Sequence, residues 1–261
     1  MFDPVIAISE VAARLGDQGR RFDIDWVACC GSTNTELLAR AEAGAASGSV
    51  LVAREQTAGR GRRGHTWHGT PGDSLTFSLF WRFPPRTAPA GLSLAVGLAL
   101  ARAIDAVDPA ATPVRLKWPN DLLRERRKLG GILIELLPGA PHAAVIGIGI
   151  NRRLPAGLPA ELRDRSAALA ADVPVTALLA ESLHALLPVL EGFGRQGFAP
   201  FRTDWEARHA YRDTPVRLLA DHAPPREVTC LGVDDDGALR VLEQGREQRV
   251  LAGEISLREA A

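Results

Sequence analysis

The sequence has few cysteines and few aromatic residues. Its 261 residues include three cysteines, and 5% of the residues are aromatic. Adjacent Cys29 and Cys30 lack the spacing of a metal site, and an odd cysteine count does not suggest a disulfide framework. Because disulfides are rare in the cytosol, three reduced thiols are typical of a cytoplasmic protein, and we predict this location.

The sequence also lacks a surplus of charge. Lysine and arginine together number 31, as do aspartate and glutamate, so the formal net charge is zero. Bulk binding to nucleic acid depends on surplus positive charge, so we predict no nucleic-acid partner. No basic start followed by an apolar core opens the chain, which argues against a signal peptide. The longest apolar run, residues 92–101, is too short to span a membrane.

The chain does contain a long region in which helices and strands are mixed. The pattern predicts helices at residues 5–15, after Thr33, at 90–107, after Pro174 and at 200–210, and strands at residues 23–29, 49–55, 74–83, 114–118, 121–124, 128–137 and 142–151. Thr33 and Glu36 have the spacing of a capping box for the second helix. Residues 152–173 have weak periodicity, which predicts a mobile surface loop.

After Asp213 the pattern changes to short strands at regular spacing. These strands are predicted at residues 216–220, 227–234, 238–242 and 247–251, with a hairpin signal at Asp235-Asp236-Gly237. Such spacing is typical of a small β-barrel. We therefore predict an α+β protein with a mixed-sheet catalytic domain, residues 1–213, and a small C-terminal β-barrel, residues 214–261.

Three arginines are interleaved with glycines in the loop Gly59-Arg60-Gly61-Arg62-Arg63-Gly64. The string matches the G-x-G-x-x-G pattern of dinucleotide-binding proteins, but that function needs a helix directly after the loop. Two glycines and a proline within residues 69–72 argue against such a helix. Glycine lets the backbone approach a ligand, and arginine forks match carboxylate and phosphate oxygens. We interpret the loop as an anion-binding centre rather than as a solvated turn.

Two further motifs lie at strand ends. Lys117-Trp118-Pro119-Asn120-Asp121 is followed by Lys128, which enters an apolar strand beside paired glycines and can reach over a ligand. Asn120 and Asp121 suit a metal-bound phosphate or a ribose. The segment Gly147-Ile148-Gly149-Ile150-Asn151 places alternate glycines on one strand face, where something must pack closely. Each motif also has a purely structural interpretation, as a surface charge, a turn former or a helix-packing site.

His65 and His68 lie three residues apart, but no carboxylate or cysteine companions accompany them. We interpret both as surface or supporting residues, and we predict no dedicated metal site.

In their order along the chain, these motifs resemble those of the biotin–protein ligases. The resemblance spans about residues 26–258 and rests on Gly31-Ser32-Thr33-Asn34, Gln56 with residues 59–64 and Trp67, residues 117–121, 127–135 and 147–151, and Gly253-Glu254-Ile255-Ser256-Leu257-Arg258. Each string is moderately specific, whereas their joint order is highly specific. The resemblance implies a class II synthetase-like biotin ligase fold with an SH3-like C-terminal barrel.

The resemblance implies a monofunctional, ATP-dependent ligase that works in two steps. Biotin and Mg²⁺-ATP first give biotinyl-5′-AMP and diphosphate, and a lysine of a biotin carboxyl carrier protein then attacks the mixed anhydride. A positive, glycine-rich loop fits this reaction, because a carboxylate and a phosphate must be held together against their repulsion. The acceptor lysine belongs to the partner, so no Ser-His-Asp triad is needed.

The family's motifs also imply roles for individual residues. Biotin contacts are implied for Ser32, Thr33, Asn34, Gln56, Arg60, Gly61, Arg62, Trp67, Lys128 and Gly131. Nucleotide contacts are implied for Arg62, Arg63, Trp67, Asn120, Lys128 and Asn151. Lys128 and Arg62 carry the catalytic roles, and Mg²⁺ is expected to arrive with ATP.

The sequence departs from the family's best-known form in two respects. Thirty residues precede Gly31, too few for the N-terminal DNA-binding domain of bifunctional members, so we expect no operator binding. Residues 152–173 contain no aromatic residue to stack on adenine, so the adenine contact stays open. The alternatives are a lipoate–protein ligase and a non-enzymatic biotin-sensing regulator. Either a monomer or a homodimer is compatible with the sequence.

Overall fold

The computed structural model describes residues 7–155, 157–169, 173–220, 223–251 and 255–259. In these ranges, helices α1 to α6 span Ile8–Leu15, Thr33–Glu42, Leu92–Val107, Ala160–Asp164, Val175–Gln196 and Arg202–Ala207. Strands β1 to β7 span Asp23–Cys30, Ser49–Gln56, Ser74–Arg82, Arg115–Lys117, Asp121–Arg124, Arg127–Leu137 and Ala140–Asn151. Strands β8 to β12 span Thr214–Ala220, Ala223–Val233, Leu239–Glu243, Arg246–Val250 and Ile255–Glu259.

The first sheet has seven strands in the order β1-β2-β3-β7-β6-β5-β4. β1 and β2 are parallel, whereas the other neighbouring pairs are antiparallel, so the sheet is mixed as predicted. Successive side chains of a strand point to opposite faces. Val52, Phe77 and Ile148 pack on one face with α1, α3 and α5. Leu51 and Val145 pack on the other face with α2.

Helix α5 is long and apolar enough to cross a membrane by length and composition. In the fold, 67% of its most apolar 18-residue stretch is buried, and the helix packs against α1 and α3. Burial of this kind is what the central helix of a packed core requires, because its apolar surface is removed from water by neighbouring helices.

The second sheet has five antiparallel strands in the order β11-β10-β9-β8-β12. The predicted hairpin joins β9 to β10, and Gly237 has the positive φ of +81° that this turn requires. Strand β12 was not predicted. Within the described ranges, β11 and β12 do not pair with each other, so the C-terminal unit forms an open sheet rather than a closed barrel. Gly253 and Glu254 of the predicted motif lie outside the described residues, whereas Leu257 is buried.

The predicted capping box at the start of α2 is wrong. The residue before the helix is Ser32, and its side chain makes no cap hydrogen bond. The backbone N–H and the hydroxyl of Thr33 instead contact the side-chain oxygen of Gln56, at 2.7 and 3.1 Å. Glu36 pairs with Arg40 at 2.8 Å. A tertiary contact with β2 has therefore replaced the local cap.

Two other predictions need correction. Helix α3 begins at Leu92 rather than residue 90, because Gly91 before it has a left-handed φ of +78°. The described part of residues 152–173, predicted as a mobile surface loop, contains α4, and Arg152 is buried and donates hydrogen bonds to the carbonyls of Gly72 and Val173. These contacts fix both ends of the segment.

Candidate active site

One cleft of about 930 Å³ lies over the centre of the seven-stranded sheet. Every residue for which the sequence predicts a biotin or nucleotide contact lines this cleft. The residues come from the start of α2, the loop after β2, the turn between β4 and β5, and strands β6 and β7. The fold therefore brings together motifs that are far apart in sequence.

The glycines of β7 form the floor of the cleft. A Cβ atom at Gly149 would lie 2.6 Å from the Trp67 ring, and one at Gly147 would overlap the side-chain amide of Asn34. Gly131 of β6 lies opposite Gly149. The predicted close packing is confirmed, and its partners are the Asn34 side chain and the Trp67 ring. The Trp67 indole N–H is buried and has no hydrogen-bond partner among the described residues, so it can donate to a ligand.

A network of neutral polar groups occupies one end of the cleft. Ser78, which is fully buried, has its hydroxyl oxygen 2.7 Å from Thr33 Oγ1 and 2.6 Å from Asn34 Oδ1. Asn34 Nδ2 donates to Glu135 Oε2 at 2.9 Å. The network thus connects α2 with β2, β3 and β6.

The protons of this network can be assigned from the acceptors. Asn34 Oδ1 can only accept, so the single hydroxyl proton of Ser78 goes to it. The contact between Ser78 and Thr33 then needs the Thr33 proton, which leaves the Thr33 backbone N–H as the donor to Gln56 Oε1. With its oxygen engaged, Gln56 directs its amide nitrogen toward Gly59. The network therefore presents Gln56 to the cleft as a donor.

The arginine–glycine loop is held by its own backbone. The N–H of Gly61 donates to the His65 carbonyl at 2.7 Å, and Trp67 N–H donates to Gly59 O at 3.0 Å. A Cβ at Gly59 would lie 2.9 Å from the Trp67 carbonyl, so close backbone approach requires glycine there. Arg63 has a left-handed φ of +57°. No helix is present in residues 65–73, as predicted, so the loop does not have the dinucleotide-binding context.

Arg60 and Glu135 form an ion pair beside the network of Thr33, Asn34, Gln56 and Ser78. Its guanidinium lies 3.0 Å from Glu135 Oε1 and 3.2 Å from the Thr35 hydroxyl, and its side chain is 51% exposed. The same Glu135 accepts from Asn34, so it links the arginine to the buried network. Glu135 ends one of the predicted strings, but no pattern in the sequence indicated this bridging role.

Another part of the cleft, around Asp121, is cationic. Lys128 Nζ lies 2.6 Å from Asp121 Oδ1, and Lys117 Nζ lies 3.1 Å from Asp121 Oδ2. Burial would raise the pKa of Asp121, but the two lysines lower it to about 2. Arg62 Nη1 is 3.4 Å from Asn120 Oδ1. Burial lowers the pKa of Arg62, and the negative charge of Asp121 partly offsets this shift. Three cations around one carboxylate leave a positive site suited to anions.

The segment after β7 is pinned to Lys128. Lys128 N–H donates to Arg165 O at 2.7 Å, and Ala167 N–H donates to Lys128 O at 2.8 Å. Asn151 Nδ2 donates to Ala167 O at 3.1 Å, which holds the segment from the β7 side. An aliphatic wall from this segment lines the cleft; it consists of Leu154, Pro155, Leu158 and Leu162. The sequence did not predict this wall, because an aromatic residue was the expected contact for adenine.

His65 and His68 lie on the exposed side of the cleft. Across the part of the chain that the structure describes, no group of three His, Cys, Asp or Glu side chains is arranged to hold a metal ion. Tyr211 and Leu257 also line the cleft, from beyond the seven-stranded sheet. Leu257 belongs to the last of the motifs that the sequence shares with the ligases, whereas Tyr211 was not predicted.

The cleft thus offers a ligand both uncharged polar groups and a cluster of cations. The comparisons with known proteins agree with this arrangement. Residues 26–151 match the model of the Biotin/lipoate A/B protein ligase family. The chain is 37% identical over 237 residues to the bifunctional ligase/repressor BirA of Escherichia coli (strain K12), covering 88% of this chain and 72% of that protein. It is 34% identical over 239 residues to the biotin–[acetyl-CoA-carboxylase] ligase of Paracoccus denitrificans, covering 86% and 96%.

A solved structure resembles the whole fold. The biotin protein ligase from Aquifex aeolicus in complex with biotin and ATP gives a TM-score of 0.79 at 28% identity, covering 91% of this chain and 99% of that one. The chain therefore belongs to the biotin/lipoate protein ligase family. Within that family it is a biotin–protein ligase.

Proposed function

We propose that this ligase activates biotin as biotinyl-5′-AMP and transfers the biotinyl group to one lysine of a biotin carboxyl carrier protein. The observation that carries the proposal is the position of Lys128 and Arg62. Both line one cleft close to Asp121, while Thr33, Asn34 and Gln56 place neutral polar groups in the same cleft. A ureido ring and a carboxylate would each find matching groups there.

In the first step, a biotin carboxylate oxygen attacks the α-phosphorus of ATP. A carboxyl–phosphate bond forms, the bond to the β-phosphate oxygen breaks, and diphosphate leaves with the electron pair. Arg62 and Lys128 hold the two anions together and offset their repulsion. The ion pair with Asp121 keeps the Lys128 side chain oriented before the substrates enter.

In the second step, the acceptor amine attacks the biotinyl carbonyl carbon. An amide bond forms, AMP leaves with the bonding electrons, and the amine gives up a proton to solvent or to a base. Lys128 stabilises the negative charge that develops on the carbonyl oxygen and on the departing phosphate. The same cationic site therefore serves both steps.

The residues around Arg62 and Lys128 also suggest where the nucleotide would bind. Asn120 lies beside Arg62, Asn151 lies beside the Lys128 carbonyl, and Arg63 lines the same cleft, so these residues would hold the phosphates and their Mg²⁺. Mg²⁺ would arrive on ATP and neutralise phosphate charge. The aliphatic wall, including Leu154 and Leu158, would cover the adenine by apolar contact in place of aromatic stacking.

A labelling reaction tests this function. The protein is incubated with biotin, ATP and Mg²⁺ together with a carrier domain, and the carrier is analysed by mass spectrometry. We expect one added biotinyl group on one lysine, no addition without ATP, and no addition to a carrier whose target lysine is replaced by arginine. Excess lipoate should not compete. Labelling by lipoate, or no labelling at all, would refute the proposal.

The variant Lys128→Ala tests the assigned residue. We expect the rate of biotinyl transfer to fall roughly a hundredfold or more, because a preorganised charge is removed from the reacting phosphate. Arg20→Ala serves as the control, since the Arg20 side chain is 87% exposed and lies outside the cleft. Equal rates for the two variants would remove Lys128 from the mechanism.

A further inference from the structure

The hairpin between β9 and β10 of the second sheet packs against the first residues of α3. Its tip, residues 234–238, is closed by hydrogen bonds from Gly237 N–H to Asp234 O at 2.9 Å and from Asp234 N–H to Ala238 O at 2.8 Å. A Cβ at Gly237 would lie 2.7 Å from the Cα of Gly91 and 2.9 Å from Leu94 Cδ1. The backbone of the hairpin at Gly237 therefore packs directly against the backbone of Gly91, just before α3, and a side chain at Gly237 would not fit.

The same hairpin tip is bonded to the turn between β4 and β5. The indole Nε1 of Trp118 donates to the carbonyl of Gly237 at 3.0 Å, and the Trp118 side chain is 1% exposed. One residue further, the Pro119 carbonyl accepts from Ser93 Oγ of α3 at 3.0 Å. The turn is therefore held from two sides, by the hairpin and by the helix on which the hairpin rests.

The residues that follow Trp118 carry polar groups of the cleft. Asn120 Nδ2 donates to the Ile132 carbonyl at 2.8 Å, and its Oδ1 is 3.4 Å from Arg62. Asp121 holds Lys128 at 2.6 Å. The lining of the cleft includes Trp118 and its neighbours but none of residues 234–238. The hydrogen bond from Trp118 to Gly237 O is therefore the direct contact between the hairpin and a residue that lines the cleft.

We propose that the hairpin 234–238 is a positioning element for the nucleotide step. By accepting the Trp118 indole proton through Gly237 O, it fixes the orientation of the turn 117–121. That orientation places Asn120, and Lys128 through Asp121, against the ATP phosphates. The neutral end of the cleft, which includes Thr33 and Gln56, does not depend on this contact.

The variant Gly237→Ala tests the inference through the first half-reaction, which needs no acceptor. The added methyl group must displace Gly91 and so moves the hairpin from Trp118. We expect the KM for ATP in biotin-dependent diphosphate–ATP exchange to rise about fivefold to tenfold, the size that loss of one buried hydrogen bond predicts. The Kd for biotin alone, measured by calorimetry, should stay within about twofold because its site is unaffected.

Gly245→Ala is the matched control. Gly245 lies in the next hairpin with a φ of +77°, and a Cβ there would have nothing within 4 Å. Both variants therefore carry the same left-handed backbone cost, but only Gly237→Ala meets a steric clash. If the two variants have the same KM for ATP, the hairpin has only a structural role and the inference fails.

A second variant keeps the test decisive if Gly237→Ala does not fold. Trp118→Phe retains an aromatic ring and removes the indole N–H, and Trp205→Phe is its control at another buried tryptophan. We expect only Trp118→Phe to raise the KM for ATP without changing biotin affinity. Equal effects in the two variants would overturn the inference. Because it rests on the proposed adenylation, a wild-type protein without biotin-dependent exchange would refute both, whereas failure of carrier labelling alone would leave this inference standing.

Discussion

Ser78 lies fully buried in β3, where its hydroxyl contacts both Thr33 and Asn34. Replacing it by alanine leaves Asn34 Oδ1 and the Thr33 hydroxyl without that partner, which costs about 1–3 kcal/mol per buried group. We expect Ser78→Ala to weaken biotin binding roughly tenfold, measured by calorimetry. Ser182→Ala is the control, because that equally buried hydroxyl bonds only to the Leu178 carbonyl of its own helix. If both variants bind biotin with similar affinity, the hydrogen bonds of Ser78 do not contribute to biotin binding.

Asp121 gives a prediction with a defined pH dependence. Its pKa is about 2 in the folded protein, below the ordinary value of 3.8, so its ionised form stabilises the fold. This contribution, roughly 2 kcal/mol, is present above about pH 4 and is lost as the pH falls through 2. We expect Asp121→Asn to lower the free energy of unfolding at neutral pH, as measured by urea titration, and the difference from wild type to narrow near pH 3.

Asp235→Asn is the control for the Asp121 experiment. Asp235 also pairs with an arginine, Arg202, at 2.9 Å, but its side chain is 70% exposed. Solvent screens such a pair, so its removal should cost less than about 1 kcal/mol. If the exposed and buried substitutions have equal effects, the ion triad around Asp121 contributes nothing special to stability.

Single residues differed in how far the sequence could predict them. Lys128 and the arginine loop were recognisable because glycines and cations recur in a fixed local order. Their partners were not, because Asp121 could equally bind a metal-bound phosphate, and Glu135 and Ser78 lie in strands whose pattern reports burial only. Which charges meet is decided by strand pairing, and a motif does not contain that information.

At the scale of elements, β7 gives a direct test of the cleft floor. A Cβ at Gly149 would lie 2.6 Å from the Trp67 ring, which would have to move. We expect Gly149→Ala to change the tryptophan fluorescence spectrum and to raise the KM for biotin at least about fivefold, since overpacking of this kind displaces side chains. Gly97→Ala in α3 is the control, because its added Cβ meets only ordinary contacts at 3.5 Å. An unchanged KM for biotin in Gly149→Ala would show that Trp67 does not cover biotin.

Element positions followed from periodicity, whereas element ends followed from tertiary contacts. The mixed sheet and the hairpin at Asp235-Asp236-Gly237 were predictable, because alternation and turn residues are local signals. The cap of α2 was wrong because Gln56 of another strand takes the Thr33 N–H. The start of α3 was wrong because Gly91 turns to meet the hairpin. Both errors lie where a distant segment outcompetes a local preference.

At the scale of the whole molecule, the segment between α6 and β8, which leads into the second sheet, pairs by its backbone with the seven-stranded sheet. Leu116 of β4 donates to Arg208 O and accepts from Ala210 N–H, both at 2.8 Å. Next to this pairing, His209 is buried, with its ring 4.6 Å from the Trp205 ring and Nε2 3.9 Å from Cys230 Sγ. We call this pairing, together with His209, the junction. Strand β4 forms one side of it and also carries Lys117, which lines the cleft, so a change at the junction should also affect the cleft.

The junction should therefore be sensitive to acid. Burial, with smaller contributions from Arg212 and Arg115, lowers the pKa of His209 from 6.5 to about 4. A depressed pKa means that the unfolded state binds the proton first, so stability is full above pH 6.5 and falls as the pH drops toward 4. The loss should be on the order of 2 kcal/mol between pH 7 and pH 5. Urea unfolding at these two pH values should show this loss in wild type and in the exposed control His184→Gln, but not in His209→Gln. A loss of equal size in His209→Gln would mean that other groups, and not the buried imidazole, make the junction acid-sensitive.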